Sequence, residues 1–220
     1  MERIGVQVTF DSVTKLDLQN ESFLVKTPHA SYCPRYVIVA TGTKPKPLPL
    51  TIPPNVQSRV FSDVYQLLDV REKQIVIIGA GDAAFDYALN LTKNRNSVTI
   101  LNRGRDVKCL RLLWERAAAN PNIVYCAETP VSAVTLDKAA NKLEIRLEAG
   151  VSLSANYLLF AIGRVPQTNF LSEELVNNRN VDGLYFVGDV KNDLYRQAAI
   201  AAGDGLRAAM QIHHNLNAEA

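Results

Sequence analysis

The stretch that most constrains the fold is QIVIIGAGDAAFDYALN, residues 74–90. Its four β-branched residues at 75–78 predict a short strand that is buried on both faces. Gly79, Gly81 and Ala84 then give a G-x-G-x-x-A turn, and helix-forming residues follow. In this context Gly79 permits a tight turn, Gly81 lets the backbone approach a diphosphate, and Ala84 lets the helix pack on the strand. The stretch therefore predicts a dinucleotide-binding βα unit, and the alternative is a turn that uses glycine only to turn.

In this interpretation the diphosphate accepts hydrogen bonds from free N–H groups at the positive end of the helix. The predicted phosphate-binding residues are Gly79, Ala80, Gly81, Asp82, Ala83 and Ala84.

The segment after the next predicted strand, VTIL at 98–101, bears on the choice of nucleotide. An NAD site usually has an acidic residue there, which bonds the ribose 2′-hydroxyl. This chain has Asn102, Arg103 and Arg105 instead, and no carboxylate before Asp106. Two arginines could neutralise a 2′-phosphate with charge-assisted hydrogen bonds. The segment therefore favours NADPH, with NADH left open, and the alternative is a solvated loop.

Composition and charge exclude several classes of function. The net charge of +2 in 220 residues does not favour nucleic acid or an anionic membrane as a partner. No apolar run approaches the ~20 residues of a membrane span, and the N-terminus has no signal-peptide core. We therefore expect a cytoplasmic protein whose partners include neither nucleic acid nor membrane.

The three cysteines, Cys33, Cys109 and Cys126, form no C-x-x-C and no zinc pattern. Their wide spacing fits a reducing compartment, and no metal site is predicted. Lys108 and Arg111 lie near Cys109 and would favour its thiolate, although a structural role is expected for each cysteine.

Apolar patterning gives a coarse map of the remaining elements. Strands are predicted at 6–10, 13–18, 23–26, 36–40, 98–101, 123–126, 157–162 and 184–187, with a turn at Asn20 and Glu21 and a hairpin joining 131–136 to 143–147. Helices are predicted over 60–70 with Ser62 as its cap, over 111–120, and over 196–215. Residues 44–54 contain five prolines and are expected to form an extended linker between two lobes.

Five segments in order carry a resemblance to a known family. They are YVIVATG (36–42), IVIIGAGDAAFDYAL (75–89), VTILNRGR (98–105), LLFAIGRVPQT (158–168), and GLYFVGDV (183–190) followed by YRQAAIAAGDG (195–205). The chain resembles FAD-dependent pyridine nucleotide-disulfide oxidoreductases, and thioredoxin reductases in particular. The resemblance implies an α/β protein in which a Rossmann-type NAD(P)H-binding domain, 50–163, is inserted in an FAD-binding domain, 1–49 and 164–220.

The resemblance also implies an activity, hydride transfer from NADPH to FAD and then electron transfer to an acceptor. No catalytic side chain is predicted, because the cofactors would supply the chemistry. The remaining cofactor-binding residues implied by the resemblance are Thr41, Gly42, Ile162, Gly163, Gly188, Asp189, Arg196, Gln197 and Ala198. Asp189 would bond FAD near its ribityl or pyrophosphate region, and the last helix would point its N-terminus at the flavin.

The chain departs from the family pattern in three places. The family begins with its own G-x-G-x-x-G segment for the ADP half of FAD, and this sequence has no such segment before residue 36. The C-x-x-C of thioredoxin reductases is missing from 56–73, and the segment 168–182 is short. FAD binding is therefore expected if the missing N-terminal portion is supplied, and a natural short protein and a truncation both stay open.

A redox protein is one candidate acceptor for the electrons. A homodimer is expected, because the surface left by the missing portion should be apolar. The alternative function is a non-catalytic nicotinamide-nucleotide-binding module, or one half of a split flavoprotein.

Overall fold

The computed structural model describes residues 6–20 and 22–218. The chain divides into two compact units, Met1–Lys44 with Val165–Ala220, and Pro45–Arg164. The assignment of these units to FAD and NAD(P)H stays a prediction. Strands β5 (Thr43–Pro45) and β14 (Arg164–Pro166) pair with each other.

The 45–164 unit is built on a five-stranded parallel sheet. In spatial order its strands are β6 (Val60–Phe61), β13 (Tyr157–Phe160), β7 (Gln74–Ile78), β8 (Ser97–Leu101) and β9 (Ile123–Cys126). Ile75 and Ile77 pack in a core on one face of the sheet, and Val76 packs in a second core on the other. The predicted doubly buried strand is therefore confirmed.

Helices α1 (Asp82–Thr92) and α2 (Arg111–Ala118) cover the first face. Ala84, Ala88 and Leu91 of α1 are buried, as helical spacing predicts for one apolar stripe. Trp114 of α2 packs edge-on against Phe85, with ring centroids 5.6 Å apart, in a core role.

A three-stranded antiparallel sheet covers the second face, with β10 (Val131–Asp137), β11 (Lys142–Leu147) and β12 (Ser152–Ala155). The predicted hairpin is confirmed as β10 and β11. Strand β12 was not predicted from the sequence, and it pairs with β11 through Leu143 to Arg146.

The other unit contains an antiparallel sheet and a parallel pair of strands. The antiparallel sheet comprises β1 (Lys15–Gln19), β2 (Ser22–Lys26) and β3 (Ser31–Tyr32). The parallel pair is β4 (Val37–Val39) and β15 (Leu184–Phe186), and the helices are α3 (Glu173–Asn177) and α4 (Ala198–Ala218).

In the described part of the chain, no helix combines the length and apolar character that crossing a bilayer requires.

The helix predicted over 60–70 is wrong. Val60 and Phe61 form β6, the edge strand beside β13, and only short 3₁₀ turns surround it at Pro54–Arg59 and Tyr65–Leu67. Asp63 Oδ1 accepts a hydrogen bond from the Tyr65 N–H at 3.0 Å, an Asx turn that ends the strand.

The strand predicted over 6–10 is also wrong. Residues 6–14 have no regular structure, and Phe10 is 98% exposed. Alternation alone does not make a strand when no neighbouring strand offers a buried face. Residues 1–5, and Glu21 of the predicted turn, lie outside the described residues.

Candidate functional site

Three predicted segments meet at one edge of the five-stranded sheet. All five strands are parallel, so their carboxyl ends lie at the same edge. The glycine turn follows β7, the Asn102–Arg105 loop follows β8, and Ile162 and Gly163 follow β13. Open α/β sheets bind ligands at this edge. The structure therefore brings the nucleotide-binding residues predicted in this unit to the position where such a ligand would bind.

Only glycine fits at position 79, because the backbone of Ala161 lies very close to it. The φ of Gly79 is +138°, and a Cβ atom there would lie 2.3 Å from the carbonyl oxygen of Ala161. Its N–H donates to the Leu101 oxygen at 2.9 Å, which joins the ends of β7 and β8. This glycine serves the tight turn that the sequence predicts.

Gly81 has a different environment. It is the N-cap of α1 in extended backbone, φ −96° and ψ 178°, and makes no side-chain capping hydrogen bond. A Cβ atom at this position would meet only the Lys108 oxygen, at 3.7 Å. The Ala84 N–H donates to the Gly81 oxygen at 3.0 Å. Since Gly81 supplies no side-chain acceptor, the N–H groups before Ala84 in the first turn of α1 stay without a capping side chain and are the ones that an anion could reach.

Asp82 and Ala80 bond to residues 108–110, which follow the Asn102–Arg105 loop. Asp82 Oδ1 accepts a hydrogen bond from the Leu110 N–H at 2.7 Å, and the Lys108 N–H donates to the Ala80 oxygen at 2.8 Å. Asp82 therefore has a structural role here, and its predicted contact with the cofactor stays a prediction.

Asn102 shapes the loop that follows β8. Its side chain is buried, and Nδ2 donates to the Asp106 oxygen at 3.0 Å and to the Tyr125 hydroxyl at 2.9 Å. Its Oδ1 accepts from the Gly104 N–H at 3.1 Å. These bonds occupy the amide, so Asn102 fixes the loop that carries both arginines.

The two arginines differ in their surroundings. Arg105 Nε donates to Glu128 Oε1 at 2.8 Å, and both side chains are largely exposed. Arg103 is exposed and makes no hydrogen bond or ion pair with any residue that the structure describes. Sequence reasoning missed Glu128, because nothing near it in the sequence indicates its position beside the loop.

In the other unit, Asp204 organises the predicted Gly188–Asp189 turn. Gly188 has a φ of +69°, and its N–H donates to Asp204 Oδ2 at 3.2 Å. Asn192 Nδ2 donates to the same carboxylate oxygen, and Lys191 Nζ lies 3.8 Å from Oδ1. The Asn192 hydrogen bond is the main cause that lowers the pKa of the buried Asp204 below its usual value, and the Gly188 N–H adds to it. Sequence reasoning missed this residue as well.

Arg196 of the YRQA segment has an unsatisfied polar atom. Its Nε is buried and has no hydrogen-bond partner among the described residues. Gln197 is exposed, as is Ala198, where α4 begins. A buried donor without a partner is costly, so it is typical of a place where a ligand supplies the acceptor.

Thr41 and Gly42 hold a neighbouring segment of the same unit. The Thr41 hydroxyl donates to the Gln167 oxygen at 2.7 Å, and the Gln167 N–H donates to the Gly42 oxygen at 3.0 Å. Gly42 has a φ of +64°, which favours glycine.

The expectation that Lys108 and Arg111 favour the Cys109 thiolate is wrong. Burial raises the pKa of the Cys109 thiol above its usual value, and the nearby Asp82 carboxylate raises it further. All three cysteines are free, and no group of three metal-ligating side chains occurs in the described part of the chain.

The fold and the site define an α/β protein with a Rossmann-type parallel sheet. Comparison with known families gives a match to pyridine nucleotide-disulphide oxidoreductase over residues 3–187. The chain therefore belongs to the pyridine nucleotide-disulphide oxidoreductase family, and the predicted resemblance and fold class are confirmed.

Curated relatives agree with this assignment. The chain is 28% identical to thioredoxin reductase 2 of Arabidopsis thaliana, over 98% of this chain and 63% of that protein. It is 25% identical to thioredoxin reductase of Chlamydia trachomatis, over 95% of this chain and 74% of that protein. The chain thus spans only part of the length of these relatives, 63% of the first and 74% of the second.

Solved structures show the same fold. Thioredoxin reductase of Lactococcus lactis matches 97% of this chain and 76% of its own, with a TM-score of 0.82 and 22% identity. Thioredoxin reductase of T. acidophilum matches 93% of this chain and 73% of its own, with a TM-score of 0.76 and 23% identity.

Proposed function

We propose that the chain binds NADPH at the carboxyl edge of the five-stranded sheet and acts as an NADPH-dependent flavoprotein oxidoreductase. Hydride would pass from NADPH to FAD, and electrons would then pass to an acceptor. The observation that carries the proposal is the convergence of three predicted segments, which follow β7, β8 and β13, at this one edge.

The residues at this edge fit an extended dinucleotide. The diphosphate would lie on the N–H groups of residues 81–83, because the α1 N-terminus is positive, Gly81 supplies no capping side chain, and the Ala84 N–H is already paired with the Gly81 oxygen. Arg103 would pair with the 2′-phosphate as an available cation. Ile162 and Gly163, at the end of β13, would flank the nicotinamide half.

The other unit offers groups that fit FAD. Arg196 Nε is a buried donor in need of an acceptor, and Asp204 holds the backbone of the Gly188–Asp189 turn in place. Helix α4 begins at Ala198, so its positive end follows Arg196 and Gln197 directly. Thr41 and Gly42 complete the proposed set. When bound, FAD would supply the chemistry that accepts a hydride and releases electrons.

The acceptor is left open in this proposal. The sequence has no C-x-x-C, so the chain has no adjacent pair of thiols for a dithiol relay. A redox protein stays a candidate acceptor, and a homodimer and a cytoplasmic location also stay proposals.

A second candidate function is a nicotinamide-nucleotide-binding module, or one half of a split flavoprotein. One observation favours it. In the described part of the unit formed by residues up to 44 and from 165 onward, the parallel sheet has two strands, β4 and β15. Neither strand leads directly through a G-x-G-x-x-A turn into a helix. A unit without that element lacks the usual cradle for the ADP half of FAD.

Visible absorption separates the two functions. The resemblance makes FAD binding conditional on the missing N-terminal portion, whereas this proposal requires the chain itself to hold FAD. After purification, equilibration with FAD and gel filtration, the full chain should therefore retain the bands of oxidised flavin at about 370 and 450 nm. The control is the same titration with NADPH, which both functions require to bind. A protein that binds NADPH and stays colourless would establish the module instead.

Replacing both arginines tests the nucleotide assignment. Arg103→Ala with Arg105→Ala should lower the affinity for NADPH roughly ten- to a hundredfold, because charge-assisted bonds to the 2′-phosphate are lost. The affinity for NADH should hardly change, and both values can be measured by isothermal titration calorimetry.

The matched control is Arg71→Ala with Arg95→Ala, which removes two exposed arginines that precede β7 and β8 at the opposite edge of the sheet. It should change neither affinity. Equal losses for NADPH and NADH in the Arg103 and Arg105 variant would remove the argument from the 2′-phosphate.

A further inference from the structure

Glu128 lies beside the Asn102–Arg105 loop and has an unusual backbone conformation. It follows β9 and has a φ of +54°, a left-handed conformation that is uncommon for a residue other than glycine. Its N–H donates to the Gly104 oxygen at 3.0 Å, and the Thr129 N–H donates to the Asn102 oxygen at 2.9 Å. Two backbone hydrogen bonds therefore attach the turn after β9 to the loop after β8. Strained residues of this kind cluster at functional sites.

The side chain of Glu128 pairs with one of the two arginines that the sequence predicts as 2′-phosphate ligands. Its Oε1 accepts from Arg105 Nε at 2.8 Å, with the arginine 80% and the glutamate 57% exposed. The loop thus has one cation that is already paired and one, Arg103, that has no acidic partner among the described residues.

This arrangement affects the two nicotinamide nucleotides unequally. A 2′-phosphate that approaches Arg105 must share the guanidinium with a carboxylate, and the two anions repel each other. A nucleotide with a free 2′-hydroxyl brings no such charge. Glu128 also comes close to the place where NAD sites keep an acidic residue, although it comes from the next strand of the sheet.

We propose that Glu128 narrows the preference of this site for NADPH over NADH by lowering its affinity for a 2′-phosphate. The proposal rests on the proposed binding of a nicotinamide nucleotide at this edge. Arg103 is then the main 2′-phosphate ligand. Arg105 contributes less to binding, because Glu128 already pairs with it. Glu128 is a specificity-determining residue, and the hydride transfer itself does not depend on it.

Glu128→Gln in the full chain tests this proposal. The probes are 2′,5′-ADP and 5′-AMP, which differ only by the 2′-phosphate, measured by isothermal titration calorimetry at low salt. The affinity for 2′,5′-ADP should rise roughly five- to tenfold, the effect of one partly exposed charge. The affinity for 5′-AMP should stay within about twofold. The gain should shrink at ~0.5 M salt, because exposed charges are screened there.

Glu72→Gln is a closely matched control. Glu72 also has a φ of +54°, and it also pairs with an exposed arginine, Arg95, at 3.1 Å. It precedes β7 and so lies at the opposite edge of the sheet. Glu72→Gln should change neither affinity, which separates a local electrostatic effect from a general effect of net charge.

Three other outcomes are decisive. An unchanged affinity of Glu128→Gln for 2′,5′-ADP overturns the proposal. A loss of 5′-AMP affinity with no gain for 2′,5′-ADP also overturns it, and assigns Glu128 to the ribose hydroxyl. If the unmodified chain binds neither probe, the proposed function itself fails, and the role of Glu128 fails with it.

Discussion

Replacing Gly79 with alanine is expected to lower the free energy of unfolding of the 45–164 unit by about 3 kcal/mol or more. The new Cβ would lie 2.3 Å from the Ala161 oxygen and 2.9 Å from its carbonyl carbon. Both atoms are backbone at the end of β13, so neither can rotate away. The φ of +138° adds strain for any residue with a side chain.

Thermal denaturation measures this effect. A loss of about 3 kcal/mol corresponds to a fall in melting temperature of roughly 12 °C for a domain of this size. Gly104→Ala is the control, because no atom lies within 4 Å of its Cβ position and its φ is not positive. A Gly79→Ala variant that melts within ~2 °C of the unmodified chain would show that the β7 turn is not packed as described.

Replacing Gly81 with alanine is expected to leave the fold intact and to weaken NADPH binding at least tenfold. The backbone at Gly81 suits any residue, and its Cβ would make one ordinary contact, 3.7 Å from the Lys108 oxygen. Stability should therefore change by less than ~1 kcal/mol, the cost of alanine in place of glycine at an N-cap. Binding should suffer because a methyl group prevents the close approach of a diphosphate to the turn.

The two glycine variants together separate folding from binding. Calorimetric titration with NADPH gives the affinity, and a melting curve of the same sample gives the stability. Gly205→Ala, in α4 of the other unit, is a control for binding, because its Cβ meets nothing within 4 Å. It should leave the NADPH affinity unchanged and raise the stability by at most about 1 kcal/mol, since alanine favours a helix over glycine. If Gly81→Ala binds NADPH as tightly as the unmodified chain, the diphosphate does not approach the turn closely at Gly81.

Local patterns were enough to predict the elements that form the site. The β7–turn–α1 unit depends on neighbouring residues, since β-branched residues, glycines and a helical apolar stripe follow each other within 74–90. The hairpin of β10 and β11 is likewise local. The failure at 60–70 has the opposite cause, because Val60 pairs with Leu158, far along the chain. Helical spacing of Val64, Leu67 and Leu68 could not reveal that pairing.

In the candidate site, too, the sequence predicted the residues that follow a local pattern and missed the contacts between distant segments. Arg103 and Arg105 follow from the position expected after β8, but the pairing of Arg105 with Glu128 depends on a left-handed turn after β9. The contact of Asp204 with Gly188 spans 16 residues and has no motif. For Cys109, sequence neighbours suggested a stabilised thiolate, while burial and the folded position of Asp82 have the reverse effect on its pKa.

The most direct test of the nucleotide site is a crystal structure of the full chain grown with NADPH. We expect the diphosphate to accept hydrogen bonds from backbone N–H groups within residues 81–83 at about 2.7–3.2 Å, with the 2′-phosphate beside Arg103. A nucleotide bound elsewhere, with nothing on the turn between β7 and α1, would contradict the account.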